Sequence, residues 1–355
     1  MGGKTQPNAV TLPESSSPCE LWCMTSHADA ASLVAPFFAR RGIVVLDGAL
    51  ATELEARGAD LHDPLWSART LLEQPSLIRD VHDSYFAAGA DVAITATYQA
   101  SFEGFARRGI DADAAADLMR LAVRIACDAR DARWGRIDGE PGAVRPLVAA
   151  SVGPYGAALA DGSEYRGDYA LDEDALVAWH APRFDLLADC GADLLACETI
   201  PCGAEARALL RLLDAHPAAR AWISFSARDG AQISNGESFA VLAAEIGAHP
   251  QVIAVGVNCT APAYVPSLVR AARAVTGTPI IVYPNSGETW VAGVRRWDPG
   301  DACAPFAVGA RTWFQAGATI IGGCCRTTPQ DIRALHDWAA TVPPSASPSA
   351  ARPAH

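Results

Sequence analysis

Eight short apolar runs, each closed by Gly, Pro, Asn or another polar residue, constrain this chain more than any other feature of it. They are GIVVLDGAL (42–50), DVAITATYQ (91–99), RPLVAASVG (145–153), DLLACETIP (193–201), AWISFSA (221–227), VIAVGVNCT (252–260), PIIVYPNSG (279–287) and ATIIGGCC (318–325). Near-continuous apolar runs between breakers read as parallel strands buried on both faces. Between them lie segments with helical spacing, such as PSLIRDVHDSYFAAGA, AAADLMRLAVRIACDAR and PQDIRALHDWAA. Three strands are entered through a helix-ending glycine step, at Gly89, Gly191 and Gly317, where glycine suits a C-cap. Eight strands alternating with helices predict a single-domain α/β protein, a (β/α)8 TIM-type barrel; an open doubly wound sheet is the alternative.

The barrel is expected over 39–341. Residues 1–38, rich in Ser, Pro, Thr and Ala, read as a flexible N-terminal arm, and 342–355 as a disordered tail. Although 355 residues often make two domains, α/β barrels reach this size as one. A net charge of −12 leaves no basic excess to displace counterions, so no nucleic-acid or anionic-membrane partner is expected. No run approaches the length of a membrane span, and the first residues lack the apolar core of a secretory signal. A cytoplasmic location follows as the expectation, with a monomer or small homo-oligomer. Ten cysteines are too sparse for a disulfide scaffold at this length, so any cluster points to metal or reactive thiols.

A barrel gathers its chemistry at the C-terminal ends of its strands. The unusual residues lie there: Asp47, Tyr98, Glu198, Cys259, Asn285, Cys324 and Cys325. Cys259 ends the sixth run, and Cys324 and Cys325 end the eighth, so one intervening strand separates them. Three convergent thiolates form a soft site that favours zinc and leaves one coordination position open. Adjacent residues of a regular strand face opposite ways, so both Cys324 and Cys325 reach one metal only where the strand has broken; Gly322-Gly323 supplies that freedom. On the residues alone three readings stay open: a metal site, small buried hydrophobes, or a vicinal disulfide between Cys324 and Cys325.

The other cysteines carry less. Cys19 and Cys23 fall in the arm, Cys127 and Cys190 on helices, Cys303 before a helix, and Cys197 reads as core. Among the histidines, His82 and His180 fall on helices and His62 in a loop; none ends a strand, which argues against a His-ligated hydrolytic zinc. Schiff-base chemistry needs a strand-end lysine, and Lys4 is the sole lysine.

GVNCT together with GGCCRT, after an LDGALATELEARG opening, resembles the homocysteine S-methyltransferase family over about 42–338. The stretches ASVGPYGAALADGSEYRGDY and YPNSGETW resemble its S-methylmethionine branch. The resemblance implies a zinc ion on Cys259, Cys324 and Cys325. It also implies homocysteine as acceptor, with S-methylmethionine or S-adenosylmethionine as the sulfonium methyl donor. Asp47 and Glu198 match the acids that bind the amino group of homocysteine. Gly48 and Ala49 match the turn whose N–H groups receive its carboxylate, and Tyr98 an aromatic wall.

The residues agree with this. A zwitterion needs carboxylates and N–H donors, and a buried carboxylate in ACETIP is costly without a partner. For Asp47 the competing role is helix N-capping. Asn258 and Asn285 are candidates to orient the loops or sulfurs around the substrate, and Trp66 and Trp290 to shape the donor pocket. Alternatives within the family are a selenocysteine or selenohomocysteine acceptor, or betaine as donor; outside it, a non-catalytic zinc–thiolate protein.

Overall fold

The computed structural model describes residues 32–61, 66–287, 289–291, 296–298 and 305–345. Each of the eight apolar runs contains a strand: β1 (Val44–Val45), β2 (Val92–Ile94), β3 (Leu147–Val152), β4 (Leu194–Ile200), β5 (Ala221–Phe225), β6 (Val252–Asn258), β7 (Ile280–Tyr283) and β10 (Ile320–Ile321). They form one parallel sheet in the order β1-β10-β7-β6-β5-β4-β3-β2. The ends meet through a parallel bridge between Leu46 and Val92, with Asp47 N–H donating to the Val92 carbonyl at 3.0 Å. The sheet is therefore a nearly closed (β/α)8 barrel. A small antiparallel hairpin, β8 (Thr289–Val291) with β9 (Arg296–Asp298), is inserted in the seventh βα unit, after β7, and left no periodic signal in the sequence.

The strands are buried on both faces, as their unbroken apolar runs require; β3, β4, β5 and β6 are buried at every position. One side chain set fills the barrel interior (Val44, Leu46, Ala149, Ala196, Trp222, Ala254, Ile281, Ile320), and a larger one cements sheet to helices. Gly89 and Gly317 end their helices in left-handed conformation, as the sequence predicts. Cys190 sits just past the helix Glu173–Ala188 instead of on it.

Order begins earlier than residue 38. The helix Ala35–Arg40 begins inside the stretch 1–38 read as a flexible arm, and its Phe37 and Phe38 are buried against the barrel floor. Burying each such ring stabilises the fold by roughly 1.5–3 kcal/mol, enough to hold a short helix in place. At the other end Val342 is buried, Gly42 N–H donates to the Pro343 carbonyl, and Ser345 N–H to that of Phe38. Residues 1–31 and 346–355 of the expected arm and tail lie outside the described residues, as do Lys4, Cys19, Cys23, His62 and Cys303. Among the described residues no helix is long and apolar enough to cross a membrane.

Candidate active site

A cavity of about 250 Å³ opens at the C-terminal end of the barrel. Asp47, Gly48, Ala49, Tyr98, Glu198, Asn258, Cys259, Cys324 and Cys325 all line it. These residues come from the ends of β1, β2, β4, β6 and β10; of the seven unusual strand-end residues, six line the cavity and Asn285 does not.

The cysteines converge as predicted: the Sγ atoms of Cys259, Cys324 and Cys325 all lie within 4.8 Å of one another. Their backbone is held by the segment after β7. Cys259 N–H donates to the Tyr283 carbonyl (3.2 Å), Cys324 N–H to that of Pro284 (2.8 Å), and Ser286 N–H to that of Cys325 (3.0 Å). One stretch thus clasps both cysteine-bearing turns. β10 ends at Ile321, before the cysteine pair, and this break lets neighbouring side chains share one face. The glycines there act through space more than through φ. A Cβ on Gly322 would meet Leu46 at 2.4 Å and one on Gly323 would meet Thr327 at 2.3 Å; neither is in the left-handed region, whereas Cys259 (φ 45°) and Arg326 (φ 68°) are.

The Cys259 and Cys324 sulfurs are the nearest pair of the three and Cys325 stands apart from them as a thiol, so Cys324 and Cys325 are not paired with each other. When reduced, the triad fits a tetrahedral metal. Thiolates at about 2.3 Å from one ion stand roughly 3.8 Å apart, so the Cys259 and Cys324 sulfurs must part while all three stay within the observed 4.8 Å. Burial pushes the Cys325 thiol up to about 11, so it ionises near neutrality only against a cation.

Two buried carboxylates face the same cavity. Asp47 is 3% and Glu198 7% exposed. Asp47 Oδ2 accepts from Ile94 N–H at 2.8 Å, while Oδ1 has no partner among the described residues. It does not cap the following helix, Leu50–Ala56, whose N-cap is Ala49. Burial raises the Asp47 carboxyl well above its ordinary value, with Glu198 adding repulsion. Glu198 accepts from the Ser151 hydroxyl, and burial lifts it to about 7 against the pull of Ser151 and Tyr283. An orphaned oxygen beside a second destabilised carboxyl is a place for a cation.

Behind Glu198 the strand is strained. Thr199, β-branched, has φ 60°, a conformation that costs about 1–3 kcal/mol. Asn258 holds it there: its Oδ1 accepts from Thr199 N–H (2.7 Å) and the Ser224 hydroxyl (2.8 Å), and its Nδ2 donates to Thr199 Oγ1 (2.7 Å). With its amide so engaged, Asn258 clamps the ends of β4 and β6, which is chiefly an orienting role, and at most one Nδ2 hydrogen is left for a substrate. The Ala49 N–H reaches the Thr327 carbonyl (3.3 Å) and hydroxyl (3.2 Å), so it receives a substrate carboxylate only by exchanging that bond. Asn285 N–H donates to the Thr260 carbonyl, and its Oδ1 is buried with no partner among the described residues. The side chains of Trp66 and Trp290 lie outside the described residues.

The cavity also contains Thr52, Gln99, Tyr165 and Tyr283, none of which the sequence singled out. Tyr165 comes from the loop after β3. Among the pocket-lining side chains described, Asp47 Oδ1 and Gln99 Oε1 lack partners, and both atoms are acceptors.

A barrel whose mouth joins a sulfur triad able to hold a metal ion to two desolvated carboxylates has the layout of a small-molecule active site. The family model described as homocysteine S-methyltransferase matches residues 44–339, and the chain belongs to that family. It is 52% identical to the homocysteine S-methyltransferase YbgG of Bacillus subtilis over 301 residues, covering 84% of this chain and 95% of that one. It is 45% identical to a selenocysteine Se-methyltransferase of Brassica oleracea, with 83% and 88% covered. The solved metallated form of the Escherichia coli homocysteine methyltransferase MmuM superposes with a TM-score of 0.78 at 45% identity, covering 86% of this chain and 99% of that one.

Proposed function

We propose that the protein transfers a methyl group from a sulfonium donor, S-methylmethionine or S-adenosylmethionine, to L-homocysteine, giving methionine, with Zn2+ on Cys259, Cys324 and Cys325. The observation that carries this reading is the orphaned Asp47 oxygen beside Glu198 in the cavity that holds the three sulfurs. Those carboxylates anchor the ammonium of an amino acid and direct its side-chain thiol at the triad. When bound, the zinc supplies a Lewis-acid centre that keeps the acceptor thiol ionised near neutral pH.

The acceptor sulfur attacks the donor methyl in line. The new S–CH3 bond forms from the thiolate lone pair, and the old bond's electrons return to the donor sulfur, leaving it a neutral thioether. Anion and cation neutralise each other as this proceeds, and the water-poor cavity favours that loss of charge. The carboxylates of Asp47 and Glu198 and the acceptor oxygen of Gln99 suit a site that takes cationic groups.

A selenol acceptor is the second reading, favoured by the 45% identity to the selenocysteine enzyme. The test is methionine formation by reduced, zinc-loaded protein from homocysteine with S-methylmethionine, S-adenosylmethionine and betaine in parallel, and with selenocysteine as rival acceptor. Turnover with a sulfonium donor, abolished by a chelator, is expected. Tight zinc without methionine from any donor would sink the homocysteine reading, and faster selenocysteine turnover would favour the second.

A further inference from the structure

Behind the cavity, outside the sulfur and carboxylate set, lies a buried polar network. Glu205, fully buried in the first turn of the helix Gly203–Asp214, sits at its centre. Its Oε1 accepts from Tyr155 N–H at 2.6 Å and from His180 Nε2 at 2.8 Å, and its Oε2 accepts from the Tyr169 hydroxyl. The other ring nitrogen of His180 accepts from Arg183 Nη2 at 3.0 Å. Arg183 in turn donates to the Ala100 carbonyl (3.0 Å) and to the Gly153 carbonyl, tying the chain after β2 to the chain after β3. His180 therefore serves as a neutral relay: Nε2–H toward the carboxylate, Nδ1 toward the guanidinium. Burial and the Arg183 charge hold its pKa down to about 4.

The partners of Glu205 mark what it does. Tyr155 opens, and Tyr169 follows, the loop that carries Ser163, Glu164 and Tyr165. One carboxylate thus pins both feet of that loop. Tyr155 packs edge-on against both Tyr169 and Trp179, ring centroids 5.1 Å away in each case, and Arg183 lies 4.6 Å over Trp179. At the loop's top, the Glu164 carbonyl accepts from the Ser226 hydroxyl at 3.0 Å. Tyr165 lines the cavity at its solvent edge, 47% exposed. A donor reaching a thiolate held deep in the cavity must pass that edge.

We propose that Glu205, through Tyr155, Tyr169 and the His180–Arg183 relay, is a positioning residue that fixes the loop after β3, and with it Tyr165, as the wall for the methyl donor. This rests on the proposed methyl transfer; the loop-fixing half stands apart from it. Replacing Glu205 by Gln removes the charge and puts an NH2 where one of two acceptor oxygens stood, against groups of which only the Tyr169 hydroxyl can also accept. Replacing Tyr169 by Phe removes one foot only and leaves the buried core intact.

The experiment measures donor and homocysteine saturation separately for Glu205→Gln and Tyr169→Phe. Amide hydrogen exchange over residues 155–169 is followed in the same zinc-loaded proteins. The donor KM should rise about tenfold for Glu205→Gln and about threefold for Tyr169→Phe, the range expected when buried hydrogen bonds are lost. The homocysteine KM and bound zinc should stay within about twofold, and exchange should accelerate in the loop more than in the barrel strands. Equal rises in both KM values, or unchanged loop exchange in Tyr169→Phe, would overturn the proposal. Should the wild-type protein methylate nothing, the exchange measurement still decides whether Glu205 fixes the loop, so this inference and the functional reading fail separately.

Discussion

The two ends of this barrel treat aspartate in opposite ways. At the floor, Asp91 Oδ2 accepts from Val45 N–H (2.8 Å) and from Arg41 (2.5 Å), both side chains buried. Asp193 repeats the pattern with Val148 N–H (2.7 Å) and Arg130 (2.5 Å). Each accepts a strand N–H and receives a cation from the protein itself. At the mouth, Asp47 also accepts one strand N–H, from Ile94, but among the described residues no arginine pairs with it and its second oxygen has no partner. A buried acid given its own cation holds a structure together; one denied it is kept for a ligand.

The largest effect should come from the sulfurs. Changing Cys259, Cys324 or Cys325 to Ser should remove stoichiometric zinc and lower methyl transfer by roughly three orders of magnitude, the scale of lost Lewis-acid stabilisation. Metal analysis beside the methionine assay checks this. Retained turnover after zinc loss would break the contrast at its mouth end.

The acids sharpen the contrast. Asp47→Asn should lower kcat/KM for homocysteine by about 10- to 150-fold, as expected for a charged hydrogen bond, with little change in melting temperature. Asp91→Asn should do the reverse. It leaves Arg41 buried without its charge partner, costing about 3–5 kcal/mol in urea unfolding while kcat/KM of the folded fraction holds. If Asp91→Asn spared stability, or Asp47→Asn spared homocysteine, the two ends would not differ as described.

The smallest effect concerns pH. The folded protein holds the Glu198 proton to about 7, against an ordinary value of 4.5. Folded chains therefore bind more protons than unfolded ones between those values, and this group's contribution to stability falls as pH rises from about 4.5 to about 7. Above that window Glu198→Gln should be more stable than wild type, by on the order of 3 kcal/mol without ligand, and no more stable near pH 4. Urea unfolding at both pH values, at matched metal content, measures it. A Glu198→Gln protein less stable at pH 8 would mean that the protein itself satisfies this carboxylate.

What the sequence by itself determined is what period and spacing carry. Eight apolar runs between breakers gave the strands, because a strand buried on both faces has no alternative pattern. Their ends gave the location of the chemistry, and GVNCT with GGCCRT gave the sulfurs. Tertiary structure alone decided the partners. Asn258 reads like any polar strand-end residue until Thr199 at φ 60° is found in its grip, and Ala49 until Thr327 claims its N–H. Glu205 lies in an ordinary helical stretch, and Tyr165 in a loop without periodicity; only folding brings the first beneath the feet of the second's loop. Phe37 and Phe38 sat in a segment of disordered composition, yet the open floor of the barrel offered them burial. Burial and pairing are set by residues tens to hundreds of positions away, and the local pattern from which strands and helices are read holds no record of them.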